Sequence, residues 1–335
     1  MQNRLSRRMF SKTMALGLGA ASLPQIPGQK PRKLLIGHTS ITWMTFGGGS
    51  RGGAAPKAAA GAAESKGAPA GVSGGPPVDV DQIETIIRDI SGLGYYGVEL
   101  FGNAVVAMDA YGGVGRLLHK YHDLPLISIV ASPECADPAK LKESIRIMVE
   151  QGTAAKKQGA RIVLMNASGR RDANYNFNEH KANIANALNE AGKAMADLGL
   201  QAVLHQHTGT MVEKGPEVYG IMDALDTRVV KAGFDVGQLT KGGADAVQIV
   251  KDFLPVIEHL HLKDYSGGEH YQGYCPLGQG KVNLAAILDL MESKGTLKGM
   301  VMVELDSSTG MPVPALETAR IAKAFLQKQG YTFRA

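Results

Sequence analysis

The sequence predicts a single-domain α/β protein, a closed (β/α)8 TIM barrel. Short β-rich runs alternate with amphipathic stretches from Lys33 to about residue 330, eight times in succession. Strict alternation implies parallel strands joined by right-handed crossovers, and eight such units over about 300 residues fit a ring. Polar and ionisable residues recur at one end of successive strands, which is where a barrel carries its site. A doubly wound open sheet is the alternative, but Gly37-His38-Thr39-Ser40 lacks the Gly-rich dinucleotide fingerprint that would support it.

The elements follow in order. Leu34-Leu35-Ile36-Gly37 reads as the first strand. Residues 47–78 then interrupt the barrel: 32 residues hold 10 Gly, 9 Ala and 4 Pro. Such a stretch buries too little apolar surface to offset its ordering entropy, so it is expected to be a disordered insertion. A helix is expected over 79–93, with Ile83, Ile86, Ile87 and Ile90 at helical spacing. Strand two is Tyr96 to Leu100, followed by a Gly-punctuated helix to about Tyr121. Strand three is Leu126 to Val130, and Asp137-Pro138 opens a helix to about Gln158, with proline tolerated in the first turn. Strand four is Arg161 to Met165, and its helix, 178–198, ends at Gly199. Strand five is Gln201 to Leu204 with a short helix over 216–225. Strand six is Val229 to Phe234 with a helix over 244–253. Strand seven is Val256 to Leu262 with a helix over 284–294. Strand eight is Gly299 to Val303, and a last helix covers 313–329.

Composition narrows the function classes. Apolar residues make up 44% and charged residues 20%, enough for a large core and too little charge for global disorder. No apolar run is long enough to span a bilayer. Two cysteines cannot build a disulfide framework or a four-thiolate zinc site, and Cys135 and Cys275 read as isolated buried thiols. The net charge is +5, but Arg4, Arg7, Arg8 and Lys12 supply most of it, leaving a near-neutral body that argues against nucleic acid as a partner. Ser6-Arg7-Arg8-Met9-Phe10-Ser11-Lys12 is a twin-arginine pattern ahead of a short, weakly apolar stretch. Residues 1–30 are therefore expected to be an export signal and linker, giving a periplasmic mature protein without a stable membrane anchor. The barrel itself is expected over 33–330.

The expected strand ends carry the chemistry. They are Glu99, Asn166, His205-Gln206-His207, Asp235, His259-Leu260-His261-Leu262-Lys263-Asp264 and Glu304-Leu305-Asp306. In an extended chain His259, His261 and Lys263 share one face, as do His205 and His207. Asp235, His261 and Glu304 come from three different strands, and together with a strand-five histidine they make a mixed nitrogen–oxygen site for one divalent ion. Without thiolates, Mn²⁺, Co²⁺, Mg²⁺ and Zn²⁺ all suit it. His259 reads as structural, Asp264 as a loop cap, and Lys263 as either an oxyanion donor or an ion-pair partner.

These segments resemble the xylose isomerase-like barrel superfamily, the sugar phosphate isomerase/epimerase group, with inosose dehydratase-like members nearest. The pieces are residues 36–43, 94–100, 205–213, 234–238, 259–264, 276–280 and 303–306. The resemblance implies one divalent ion on Asp235, His261, Glu304 and a strand-five residue. That residue is glutamate in much of the superfamily and His205 here, with His207 left open as the alternative. It also implies acid–base work by Glu304 with His205 or His207, assisted by Lys263, and substrate contacts from Trp43, Glu99, Gln238, His207 and Lys263. The expected substrate is a small sugar or polyol ketone, attacked next to its carbonyl, with dehydration favoured over epimerisation or aldose–ketose isomerisation. A non-catalytic sugar-binding barrel is the minor alternative, and the homo-oligomeric state stays open.

Overall fold

The computed structural model describes residues 32–44, 78–169, 171–306 and 311–335. The expectations for residues 1–30 and, apart from Val78, for 47–78 lie outside them. In chain order the elements are β1 (Ile36–Thr39), α1 (Val80–Gly92), β2 (Val98–Phe101), α2 (Gly102–Met108), α3 (Val114–Lys120), β3 (Leu126–Val130), α4 (Leu141–Lys157) and β4 (Ile162–Met165). Then come α5 (Phe177–Asp197), β5 (Gln201–Leu204), α6 (Gly215–Ala224), β6 (Val230–Ala232), α7 (Val236–Lys241) and α8 (Ala246–Phe253). The chain ends with β7 (Leu260–Leu262), β8 (Asp264–Tyr265), β9 (Tyr274–Cys275), α9 (Leu284–Lys294), β10 (Val301–Val303) and α10 (Ala315–Lys328).

Eight parallel strands pair in the order β6-β5-β4-β3-β2-β1-β10-β7. Parallel bridges Ala232–Ile257 and Asp235–His261 join the two ends into a ring. The Glu258 amide donates to the Ala232 carbonyl (2.9 Å) and the His261 amide to that of Phe234 (2.8 Å) across this seam. Short polar side chains start the outer helices. Asp79 accepts from the amides of Asp81 and Gln82, and Asn176, Asp245 and Asn283 cap α5, α8 and α9 in the same way. On α1, Ile83, Ile86, Ile87 and Ile90 are buried against the ring, as their spacing predicts.

Register sorts the barrel interior into layers. Leu164 pairs with Val203, and these two pack with Ile162 and Val130 inside the ring. Met300, Met302 and Ile127 fill a neighbouring apolar layer. Gly37 lies in register with Met302, and a Cβ there would sit 2.8 Å from the Gly97 carbonyl oxygen, which cannot swing aside as a side chain can, so glycine is what lets β1 approach. One step along each strand toward its carboxyl end, the inward positions become polar: Glu99, Ser128, His205, Asp235, His261, Lys263 and Glu304.

Four local expectations are corrected. The first strand lies two residues later than read, because His38 and Thr39 pair with β10 and β2. The helix after β2 breaks into α2 and α3 at Gly112 and Gly113, both in the left-handed region (φ 85° and 81°). A short helix, α7, follows β6 directly, capped by Asp235, whose carboxylate accepts from the Gln238 amide at 2.9 Å. An antiparallel hairpin, β8–β9, follows β7, and two-residue strands are too short to leave a periodic signal. Cys135 and Cys275 are both free and buried, as expected. Among the described residues no helix is long and apolar enough to cross a membrane.

Candidate metal centre

Four strands deliver one ligand-type group each. His205 follows β5, Asp235 follows β6, His261 sits inside β7 and Glu304 follows β10. One nitrogen or oxygen from each lies within 4.8 Å of the others, and all four residues are buried. Parallel strands in a ring place their carboxyl ends side by side, so residues 100 positions apart meet without any local pairing.

Hydrogen bonds fix which ring atoms face the cluster. The His205 Nδ1 lies 3.2 Å from the Gly233 carbonyl and donates to it, which turns Nε2 inward as an acceptor. Burial holds its pKa well below the ordinary value, so the ring is neutral. His261 has Nε2 3.0 Å from Glu99 Oε1 and Nδ1 2.7 Å from Glu304 Oε2. Glu99 is braced from behind: the Ser128 hydroxyl donates to it at 2.6 Å and His259 Nε2 at 3.1 Å. His259 Nδ1 in turn accepts from the Met300 amide at 3.2 Å, which leaves its proton on Nε2. Burial would raise the Glu99 pKa, but His261 and His259 override it and keep the carboxylate charged. A histidine whose outer nitrogen meets a carboxylate presents its other nitrogen as a stronger ligand.

Lys263 stands among the same carboxylates. Its Nζ is 2.9 Å from Asp235 Oδ2, 2.7 Å from Glu304 Oε1 and 3.0 Å from Asp306 Oδ2, with no exposure to solvent. Burial opposes its charge, yet the three carboxylates raise its pKa well above the ordinary value and keep it protonated. Burial also drives Asp235 up to about 6, against the pull of Lys263.

The cluster suits a divalent ion. The contacts around it are close but poorly aligned: Asp235 Oδ2 and both ring nitrogens of His261 are buried without a hydrogen-bond partner in proper geometry. A cation between Asp235 Oδ2 and His261 Nδ1 would satisfy those two atoms, while His261 Nε2 stays turned toward Glu99. Two imidazoles and two carboxylates form a borderline-to-hard donor set.

The structure separates the remaining expected residues. His205 joins the cluster and His207 does not: its Nδ1 is 2.8 Å from the Thr208 carbonyl and its Nε2 2.8 Å from Gln238 Nε2. Both ring nitrogens are thus committed, which argues against the catalytic and substrate-contact roles expected of it. Gln238, also expected to touch substrate, is fully buried and saturated. It donates to His207 and Asp306 and accepts from Thr208 and Tyr274. Glu99 likewise lies behind His261 rather than in the mouth, because its oxygens are engaged by Ser128, His259 and His261. Trp43 is pinned by its indole N–H to Asp89 (3.1 Å) and packs edge-on against His38. Lys263 takes the ion-pair role foreseen for it and adjoins the cluster. Asp264 is the foreseen loop cap, accepting from the amides of Tyr265, Gly278, Gly280 and Val282.

Two members were missed. Asp306 shares the inward face with Glu304, and the Glu-x-Asp alternation after β10 was the available signal. Tyr274, on the hairpin, lies with its ring centroid 4.7 Å from Lys263 Nζ and bonds Gln238. It has no signal in local sequence.

Comparisons with known proteins agree with this fold. A Clostridium botulinum protein called inosose dehydratase is 28% identical over 174 residues, which is 47% of this chain and 58% of that relative's length. A probable 3-DHS dehydratase, AsbF, of Bacillus anthracis superposes with a TM-score of 0.61 at 18% identity, covering 72% of this chain and 92% of that one. The IOLI protein, crystallised with a zinc atom, superposes with a TM-score of 0.59 at 17% identity, covering 74% and 92%. A family profile described as xylose isomerase-like TIM barrel matches residues 87–329. With that match spanning most of the ring and both flanks of the cluster, the chain belongs to the xylose isomerase-like TIM barrel family.

Proposed function

We propose that the protein is a divalent-metal-dependent enzyme acting on a small keto-sugar, inosose or keto-glycoside, removing a proton beside the carbonyl and expelling a β-hydroxyl group. The observation that carries this reading is the His205–Asp235–His261–Glu304 cluster with a charged lysine built into its carboxylates. The Clostridium botulinum relative is likewise called inosose dehydratase.

A divalent ion held by these four residues would polarise the substrate carbonyl and an adjacent hydroxyl as a Lewis acid. The chain's own residues supply the rest. Glu304 is the base: burial would raise its pKa, but His261 and Lys263 hold it well below the usual carboxylate range, so it is ionised and able to accept the α-proton. Lys263, fixed by three carboxylates, places a positive charge beside the developing enediolate. Glu99 and His259 keep His261 in one orientation. Loss of the β-hydroxyl, which leaves with the abstracted proton as water, completes a dehydration. Return of the proton instead yields an epimer or isomer.

The engagement of two cations fits an unphosphorylated substrate. Lys263 already faces three carboxylates, and Arg171 is engaged by Glu217 through both oxygens (2.6 and 2.7 Å). Neither of these two cations is left to hold a phosphate. The twin-arginine pattern fits the same reading, since an exported enzyme meets free rather than phosphorylated sugars. Signal cleavage and periplasmic recovery on fractionation are the expected results, and uncleaved cytosolic protein alone would contradict them.

The test is metal analysis followed by proton exchange from a panel of keto-sugars and inososes in deuterated water. Chelated protein should lose exchange, Mn²⁺ or Co²⁺ should restore it, and Glu304→Gln should abolish it. Undiminished exchange by the metal-free protein would overturn the mechanism, and products retaining every oxygen would replace dehydration with epimerisation or isomerisation.

A further inference from the structure

One polar group beside the cluster has no part in the arrangement above. Asn166 is the first residue past β4, and its side-chain Oδ1 is buried without any hydrogen-bond partner. The main chain around it is firmly placed. The Asn166 amide donates to the Ser132 hydroxyl at 2.9 Å, and the neighbouring Met165 carbonyl accepts from the His205 amide at 2.8 Å. Register then fixes the direction of the side chain. Leu164 and Val203 are paired and both point into the ring, so two residues further on Asn166 and His205 also point inward, side by side on adjacent strands. That alternation places the amide on the inward face beside His205, a member of the cluster.

The geometry points to Asn166 as a substrate-binding residue, whose amide oxygen accepts a hydrogen bond from one hydroxyl of a polyol seated on the cluster. This inference rests on the proposed function and specifies how one hydroxyl of that substrate is selected. A buried carbonyl oxygen left unpaired is unfavourable, and native structures keep few of them. An amide oxygen only accepts, so its partner must be a donor, and a sugar or cyclitol hydroxyl is the donor that the proposed substrate class supplies. A site built to bond a hydroxyl discriminates strongly against an analogue lacking it, because the buried acceptor is then stranded again. Asn166 would thus read one substrate position, leaving the chemistry to the cluster.

The probe is inositol, a cyclic polyol without the carbonyl and so unable to react, titrated calorimetrically into manganese-loaded protein together with its monodeoxy analogues. Wild-type protein should bind inositol and lose about tenfold affinity for one particular deoxy analogue. Asn166→Ala should bind inositol about tenfold more weakly, bind that analogue as wild type does, and retain full metal content. Asn166→Asp, which keeps an acceptor of the same shape, should retain the discrimination and covers the case in which the alanine variant fails to fold. Unchanged affinities and an unchanged deoxy profile in Asn166→Ala would overturn the inference while leaving the proposed function intact. Loss of bound manganese in that variant would also overturn it, by making Asn166 a ligand. Failure of manganese-loaded wild-type protein to bind either inositol or an inosose would overturn the inference and the proposed function together.

Discussion

Lys263→Met is the perturbation that most directly probes how the cluster is balanced. The lysine is fully buried, and its ammonium touches Asp235, Glu304 and Asp306 at 2.9, 2.7 and 3.0 Å. Methionine matches the stem in volume but removes the charge, leaving three buried carboxylates facing one another. Removing one partner of a buried ion pair costs about 3–5 kcal/mol, much of it the penalty of the charges left behind. For a chain of this size each kcal/mol shifts the melting temperature by about 1.5 °C, so the metal-free variant should melt about 4–8 °C below wild type. A divalent ion held by the cluster would bring positive charge to two of these carboxylates, Asp235 and Glu304. Adding Mn²⁺ should therefore raise the melting temperature of the variant more than that of wild type. The assay is thermal unfolding of both proteins with chelator and with Mn²⁺. If the two proteins melt within 2 °C of each other in chelator, or if Mn²⁺ stabilises both equally, Lys263 does not neutralise the cluster and the reasoning fails.

Two further outcomes are expected. Glu99→Gln keeps the shape but loses the charge that orients His261, so metal affinity should fall about 10–100-fold in a competition titration while turnover at saturating metal changes little. His38 is buried, and desolvation lowers its pKa to about 4. The unfolded chain binds that proton more readily, so the stability His38 contributes is complete above about pH 6.5 and is lost as the pH falls toward 4. The loss amounts to about 3 kcal/mol. His38→Gln should flatten the slope of denaturant midpoint against pH over this interval, and an unchanged slope would remove His38 as its source.

The comparison of sequence with structure is clearest at particular residues. Alternating β and α runs are local patterns, so the ring and its strand order were readable from spacing alone. Asp235, His261 and Glu304 were readable because parallel strands send equivalent positions to one rim. His205 and His207 show the limit. Their spacing puts them on one face, and only the carbonyl of Gly233 beside one and the amide of Gln238 beside the other decide which can serve the cluster. The resemblance implied substrate contacts from Gln238 and Glu99, but their side chains bond to residues about 30 or more positions away.

The sequence by itself determined the barrel, the rim at which its chemistry collects and three of the four cluster residues, because periodicity and strand polarity are properties of short segments. The tertiary structure decided the rest: Lys263 set among three carboxylates, Glu99 placed behind His261, Tyr274 brought in by an unforeseen hairpin, and Asn166 left with an unmatched oxygen. Each of these depends on which atoms of distant segments meet in a low-dielectric interior, where burial and pairing set both charge and proton position.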